Sequence, residues 1–144
     1  MATREARPGG RPVRRRERSA ARRAAWHAER LQRARSAEER LQAAAAYLTS
    51  AAAHARGAGA ARQAAAEVAD QAREVMKRAA LPEASRRLHE AKLTAGGTEA
   101  ARLSSALMVL RSAIARLPDS DRDRLRDHYA RELAAEAARI GGGR

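Results

Sequence analysis

The sequence predicts an all-α protein: a helical bundle or coiled-coil hairpin with an extended basic amino-terminal helix and a disordered arm before it. Three observations lead there. Alanine supplies 40 of the 144 residues, and with Leu, Arg, Glu and Gln, all strong helix formers, it fills nearly every position outside the few Gly and Pro. Aromatic and β-branched residues are scarce and Phe is absent, so no stretch reads as a strand. Large apolar residues recur in alternating steps of three and four, the spacing that gathers them on one side of a helix.

Taken in order, residues 1–13, "MATREARPGGRPV", carry Pro8, Gly9, Gly10 and Pro12 and predict the arm. Helix begins near Arg14. At 100° per residue, Arg11, Arg15, Arg18, Arg22 and Arg33 form one stripe, Arg16, Arg23 and Arg30 widen it, and Ala20, Ala24, Ala28 and Leu31 share another side. Around Ser36 the apolar stripe shifts. "SAEERL" has the Ser-x-x-Glu spacing of a capping box, so either one helix kinks there or a second begins, with Ala37, Leu41, Ala45, Leu48 and Ala52 inward and "RGAGA" ending it. These segments form a basic unit, 14–56, followed by a bundle, 61–140.

Within that bundle, Ala65, Val68, Ala72, Val75 and Ala79 make a thin seam on a helix that Pro82 stops. Pro82 suits the first turn of a short successor reaching about Ala95, before Gly96 and Gly97. Thr98 and Glu99 open the most apolar helix, with Leu103, Leu107, Leu110, Ile114 and Leu117 inward. After "LPDSDRD", where Ser120 and Asp123 again have capping-box spacing, a last helix carries Leu125, Tyr129, Leu133 and Ile140, and 141–144 form a disordered tail. The short link predicts that these two leucine-bearing helices pair as an antiparallel hairpin, with the 61–80 helix as third member.

Composition limits the core. Leu, Ile and Val total 18 residues beside a formal net charge of +13, a balance shared with disordered proteins. Burying a leucine is worth about 1.5–3 kcal/mol and an alanine methyl only about 0.8 kcal/mol, so a bundle seamed with alanine is marginal alone, and self-association or a partner would help it. The absence of Cys excludes a disulfide scaffold, thiol chemistry and cysteine zinc sites. No apolar run approaches the ~20 residues of a membrane span, and no secretory signal is legible, which leads to a cytoplasmic expectation. An arginine-rich, acid-poor start also has the composition of an organellar transit peptide.

Catalytic and metal constellations were sought and none is assigned. Asp119, Asp121 and Asp123 copy the start of a calcium loop, but Arg124 and Ala130 stand where its glycine and closing glutamate belong. Acidic residues in a first helical turn answer the helix macrodipole more simply. His128 and Glu132 lie one turn apart without further ligands, while His27, His54 and His89 are isolated and read as surface or boundary residues. Tyr47 and Tyr129 read as amphipathic edge residues. No nucleophile elbow or phosphate-binding glycine loop occurs, and an alanine-seamed bundle is poorly equipped to build a dry pocket, so no enzyme and no cofactor is expected. "LPDSDRDRLRDHY" resembles the helix entry of a sigma-factor-like helix-turn-helix, yet no second turn and recognition helix follow.

Charge is uneven. Residues 1–35 hold 12 arginines and 3 glutamates, a net +9, whereas the other 109 residues hold 18 basic and 14 acidic groups, a net +4. Arginine over lysine is not itself informative: only two lysines occur, as GC-rich coding DNA tends to give. What counts is the density. The stretch "RPVRRRERSAARRAAW", Arg11–Trp26, sets seven arginines against one glutamate, and their mutual repulsion is a standing cost unless an anion is present. Guanidinium pairs bidentately with phosphate, so Arg14, Arg15, Arg16, Arg18, Arg22, Arg23, Arg30 and Arg33 are the candidate contacts for a nucleic-acid backbone, duplex DNA by preference given the poverty in aromatics. A helical scaffold or homo-oligomer that binds protein is the alternative. Peripheral binding to anionic lipid, anchored only by Leu31 and Trp26, is the third reading.

The arginine-rich head, the high-GC composition and "AAWHAERLQRA" resemble small helical accessory proteins of actinobacterial plasmids and mobile elements, those grouped as transfer or spread functions. The resemblance implies a non-enzymatic cytoplasmic role in the conjugal spread of DNA. It transfers no individual residue role.

Overall fold

The computed structural model describes residues 11–141, and all six elements among them are helices: α1 Arg11–Arg33, α2 Ala37–Ala53, α3 Gly59–Ala79, α4 Glu83–Thr94, α5 Glu99–Ile114 and α6 Asp119–Gly141. The fold class is the one read from composition and periodicity. Helix starts at Arg11 rather than Arg14; the remainder of the expected arm, 1–10, and the tail residues 142–144 lie outside the described residues.

Local signals account for most boundaries. At Ser36 a new helix begins: its side chain accepts from the Glu39 N–H at 3.1 Å, and the Glu39 carboxylate accepts from the Arg35 N–H at 2.7 Å, one residue earlier than a capping box would place it. Thr98 caps α5 by accepting from the Ala101 N–H at 3.1 Å. Gly96 takes a φ of +114°, which side-chain-bearing residues rarely adopt. Ser120 does not cap α6, because helix already begins at Asp119, and the Pro118 carbonyl receives the N–H groups of Asp121 and Arg122 at 2.9 and 3.1 Å.

The inward positions expected on α2 through α6 are buried, save Ala79 and Ile140, which are half-buried. The pairing of helices is different from the expected hairpin. α5 packs most extensively on α3, and α6 on α2, while α5 and α6 touch only sparingly. Ion pairs fix the directions. Arg62 meets Glu99 at 3.6 Å, each near the start of its helix, so two helices that pack along their lengths must run parallel. Arg73 reaches Glu90 at 2.8 Å, consistent with α4 carrying the chain back between them. Glu38 with Arg126 at 3.0 Å and Arg40 with Asp127 at 2.6 Å keep a nearly constant offset, the register of parallel neighbours in α2 and α6.

Two parallel pairs are thus stacked on each other. Alanine permits helices to pair closely. Ala44, Ala64, Ala72, Ala113 and Ala137 are completely buried, one or more on each of the four helices, and a methyl at the contact lets axes approach toward the lower end of the usual ~8–10 Å range. The leucines Leu41, Leu48, Leu103, Leu110 and Leu133, with Ile114, are buried with these alanines in one continuous core. A short link made α5 and α6 neighbours in sequence, but surface complementarity outweighed proximity. α2, grouped with the basic head by sequence, is therefore a full member of the core.

Close approach predicts an asymmetry. Ala44→Leu, although it adds apolar surface, should lower stability by about 1–3 kcal/mol through overpacking. Leu110→Ala should cost about 2–5 kcal/mol. Denaturant unfolding followed by helical circular dichroism measures both, and an Ala44→Leu chain as stable as the parent would refute the seam account.

Candidate nucleic-acid interface

α1 docks through its carboxy-terminal part. Residues 34–36 reverse the chain, and the His27 ring stacks on Tyr47 of α2 at 5.0 Å and 11° between planes, so the two helices run antiparallel with 27 opposite 47. Ala24 and Leu31 pack against the core on the same side. In that register Ala53, the last residue of α2, stands opposite residue 21. Arg11–Ala20 therefore run past the end of α2, a length of about 15 Å at the helical rise.

The docked face decides where the arginines point. Arg15, Arg18 and Arg22 are exposed in one row, turned away from Ala24, His27 and Leu31 by roughly half a turn of the helix. Among the described residues no carboxylate lies within ion-pair distance of these three. Arg33 is also exposed on this side but is joined to Glu29 at 3.1 Å. Arg30 lies over the Trp26 ring, 5.7 Å from its centroid. Arg23 is half-buried beside the docked face. The side chains of Arg14 and Arg16 lie outside the described residues. The eight candidates thus do not form one uniform surface: a bare row, Arg15 to Arg22, is followed by a partly neutralised end.

The body of the protein contrasts with this head. Arg40, Arg62, Arg73, Arg111, Arg126 and Arg139 each meet a carboxylate of another helix or their own. Glu38 alone receives Arg111 from α5 and Arg126 from α6, which ties three helices at one point. A groove of about 250 Å³ between α3, α4 and α5 contains Arg62, Arg73 and Arg102, but each of them meets a carboxylate, Arg62 and Arg102 at Glu99 and Arg73 at Asp70 and Glu90. Glu67 is pushed above the ordinary carboxylate range by burial and then by Glu136, whose own carboxyl is held low by hydrogen bonding with Arg139. That pair links α3 to α6. Among the described residues no three His, Asp or Glu side chains cluster as a metal site.

Several sequence expectations are corrected here. His27 and His89 are buried, not boundary residues, and Tyr47 and Tyr129 belong to the core instead of its edge. Ala28 is exposed, its place on the docked side taken by His27. The step series 20, 24, 27, 31, 34 contained that signal, since it places His27 at the next inward position. Trp26 and Leu31 do not share a face: Leu31 packs inward, and Trp26 stands in solvent among the arginines.

Comparison with family models, with curated proteins and with solved structures finds no match to this chain.

His27 gives the docking of α1 a pH dependence. Burial, with Arg30 adding like-charge repulsion, pushes its imidazole below the ordinary 6.5, and its Nδ1 is buried with no hydrogen-bond partner. The undocked or unfolded state therefore binds more protons than the docked one below pH 6.5. Stability from this group is present above that pH and is lost as pH falls toward the depressed folded value. Thermal unfolding between pH 7.5 and 5.5 should show a loss of stability in the parent that is smaller in His27→Phe, which keeps an aromatic ring and removes the titration. An equal loss in both chains would exclude His27 as the cause.

Proposed function

We propose that this chain is a non-enzymatic DNA-associated accessory protein that grips nucleic-acid backbone through α1. One observation carries the reading: Arg15, Arg18 and Arg22 stand exposed in a row opposite the docked face, the first two on the part of α1 that runs past α2, while many arginines of the body are met by carboxylates. Among the described residues no carboxylate meets this row, which leaves it for an external anion. Duplex DNA presents one negative charge per about 1.7 Å of axis, so the ~10 Å from Arg15 to Arg22 faces on the order of six phosphates, a density no isolated acidic side chain supplies. The role in conjugal spread of a plasmid or mobile element, and the cytoplasmic setting, rest on the resemblance of the head and composition described above.

A protein-binding scaffold is the second reading, favoured by the exposure of Leu88 on α4 and Met108 on α5. Attachment to anionic lipid has less support, because the apolar side of α1 that would enter a membrane is already spent on α2 and the core.

A salt titration tests the first reading. With about six phosphate contacts, affinity of the intact chain for a blunt duplex should fall roughly a thousandfold between 50 and 200 mM salt. The triple variant Arg15→Ala, Arg18→Ala, Arg22→Ala should bind weakly at low salt, with a log–log slope shallower by about three. Indifference of the intact chain to DNA in dilute salt, or a variant that binds equally well, defeats the reading.

A further inference from the structure

Trp26 is 57% exposed, yet its orientation is set from the core. Its ring meets the His27 ring edge-on, at 4.8 Å and 89°, and His27 is in turn stacked on the buried Tyr47. Arg30 lies over the ring at 5.7 Å, and Arg22 sits one turn earlier on the helix. A large apolar ring held out in water contributes little to folding at this position. It does offer a flat surface at the point where the bare arginine row gives way to the docked half of α1.

We propose that Trp26 stacks on an unpaired nucleobase, so that α1 prefers DNA in which a duplex adjoins a single strand. In this arrangement Arg15, Arg18 and Arg22 lie along duplex backbone, and Arg30 takes a phosphate beside the stacked base. The inference rests on the backbone-binding reading above and adds a substrate class to it. The bases of a continuous duplex already stack on one another and leave their faces closed, whereas an unpaired base has a free π-face that any aromatic ring can cover. One ring suffices for one base at a junction; coating a long single strand would take several. A lipid surface fits this ring less well, since no neighbouring apolar side chain of α1 shares its exposed side among the described residues.

The test uses the full chain, whose single tryptophan makes its emission a direct report. Binding is compared between a blunt duplex and the same duplex bearing a short single-stranded extension, at one salt concentration. The extension should tighten binding about 5- to 100-fold and quench Trp26 emission. Trp26→Ala should lose the preference, and Trp26→Phe should keep part of it, with helical circular dichroism confirming that both chains fold. Equal affinity for the two DNAs, with emission unchanged by the extension, overturns this inference and leaves the backbone reading intact. Failure to bind either DNA at low salt defeats the backbone reading itself. A blue-shifted emission with phosphatidylserine vesicles, without quenching by DNA, would overturn the inference in favour of a membrane contact.

Discussion

The distance at which alanine lets two helices lie sets the arrangement of this protein. Along α2, α3, α5 and α6 the buried positions mix alanine with larger residues, and completely buried alanines such as Ala44, Ala72, Ala113 and Ala137 contribute little transfer free energy individually. Their effect is geometric. With alanine at so many buried positions, α2 and α6, and likewise α3 and α5, approach closely enough for dispersion contacts along their length, and the leucines complete one continuous core. A chain with 18 Leu, Ile and Val in 144 residues builds its continuous core from most of them together with many alanines.

Charge follows from the same packing. Parallel pairs bring the amino-terminal turns of α2 and the early turns of α6 together, so that Glu38 and Arg40 meet Arg126 and Asp127, and Arg111 joins from α5. These pairs are partly exposed, and solvent screening keeps each of them weak. Their larger consequence is that Glu38 and Asp127 are engaged within the bundle. Among the described residues the row Arg15, Arg18 and Arg22 meets no carboxylate, and the register of His27 on Tyr47 directs it outward. Fold and site are thus connected through one docking contact: the side of α1 that is buried determines which arginines face solvent.

Much of this was legible before any coordinates. Three-four spacing identified Leu41, Leu48, Val68, Val75, Leu103, Leu110 and Ile114 as inward, and Ser36 and Thr98 marked helix starts through local hydrogen bonds that need only neighbouring residues. The arginine stripe was visible for the same reason, because the angle between residues on one helix is independent of what the helix touches. His27 was missed because a polar ring was not counted among inward residues, although its position fits the series. The pairing of α5 with α3, and of α6 with α2, was missed because chain proximity is a poor guide when seams of different depth compete.

Sequence by itself determined helical class, the boundaries of most helices, the inward residues and the concentration of positive charge at one end, since each depends on contacts or angles within a few residues. Tertiary structure alone decided which helices are neighbours, that they run parallel, that α2 lies in the core, and that Trp26 faces water while His27 does not. Those outcomes depend on the relative fit of whole surfaces remote in sequence. Periodicity shows that a face is apolar; it does not say which other face it will meet.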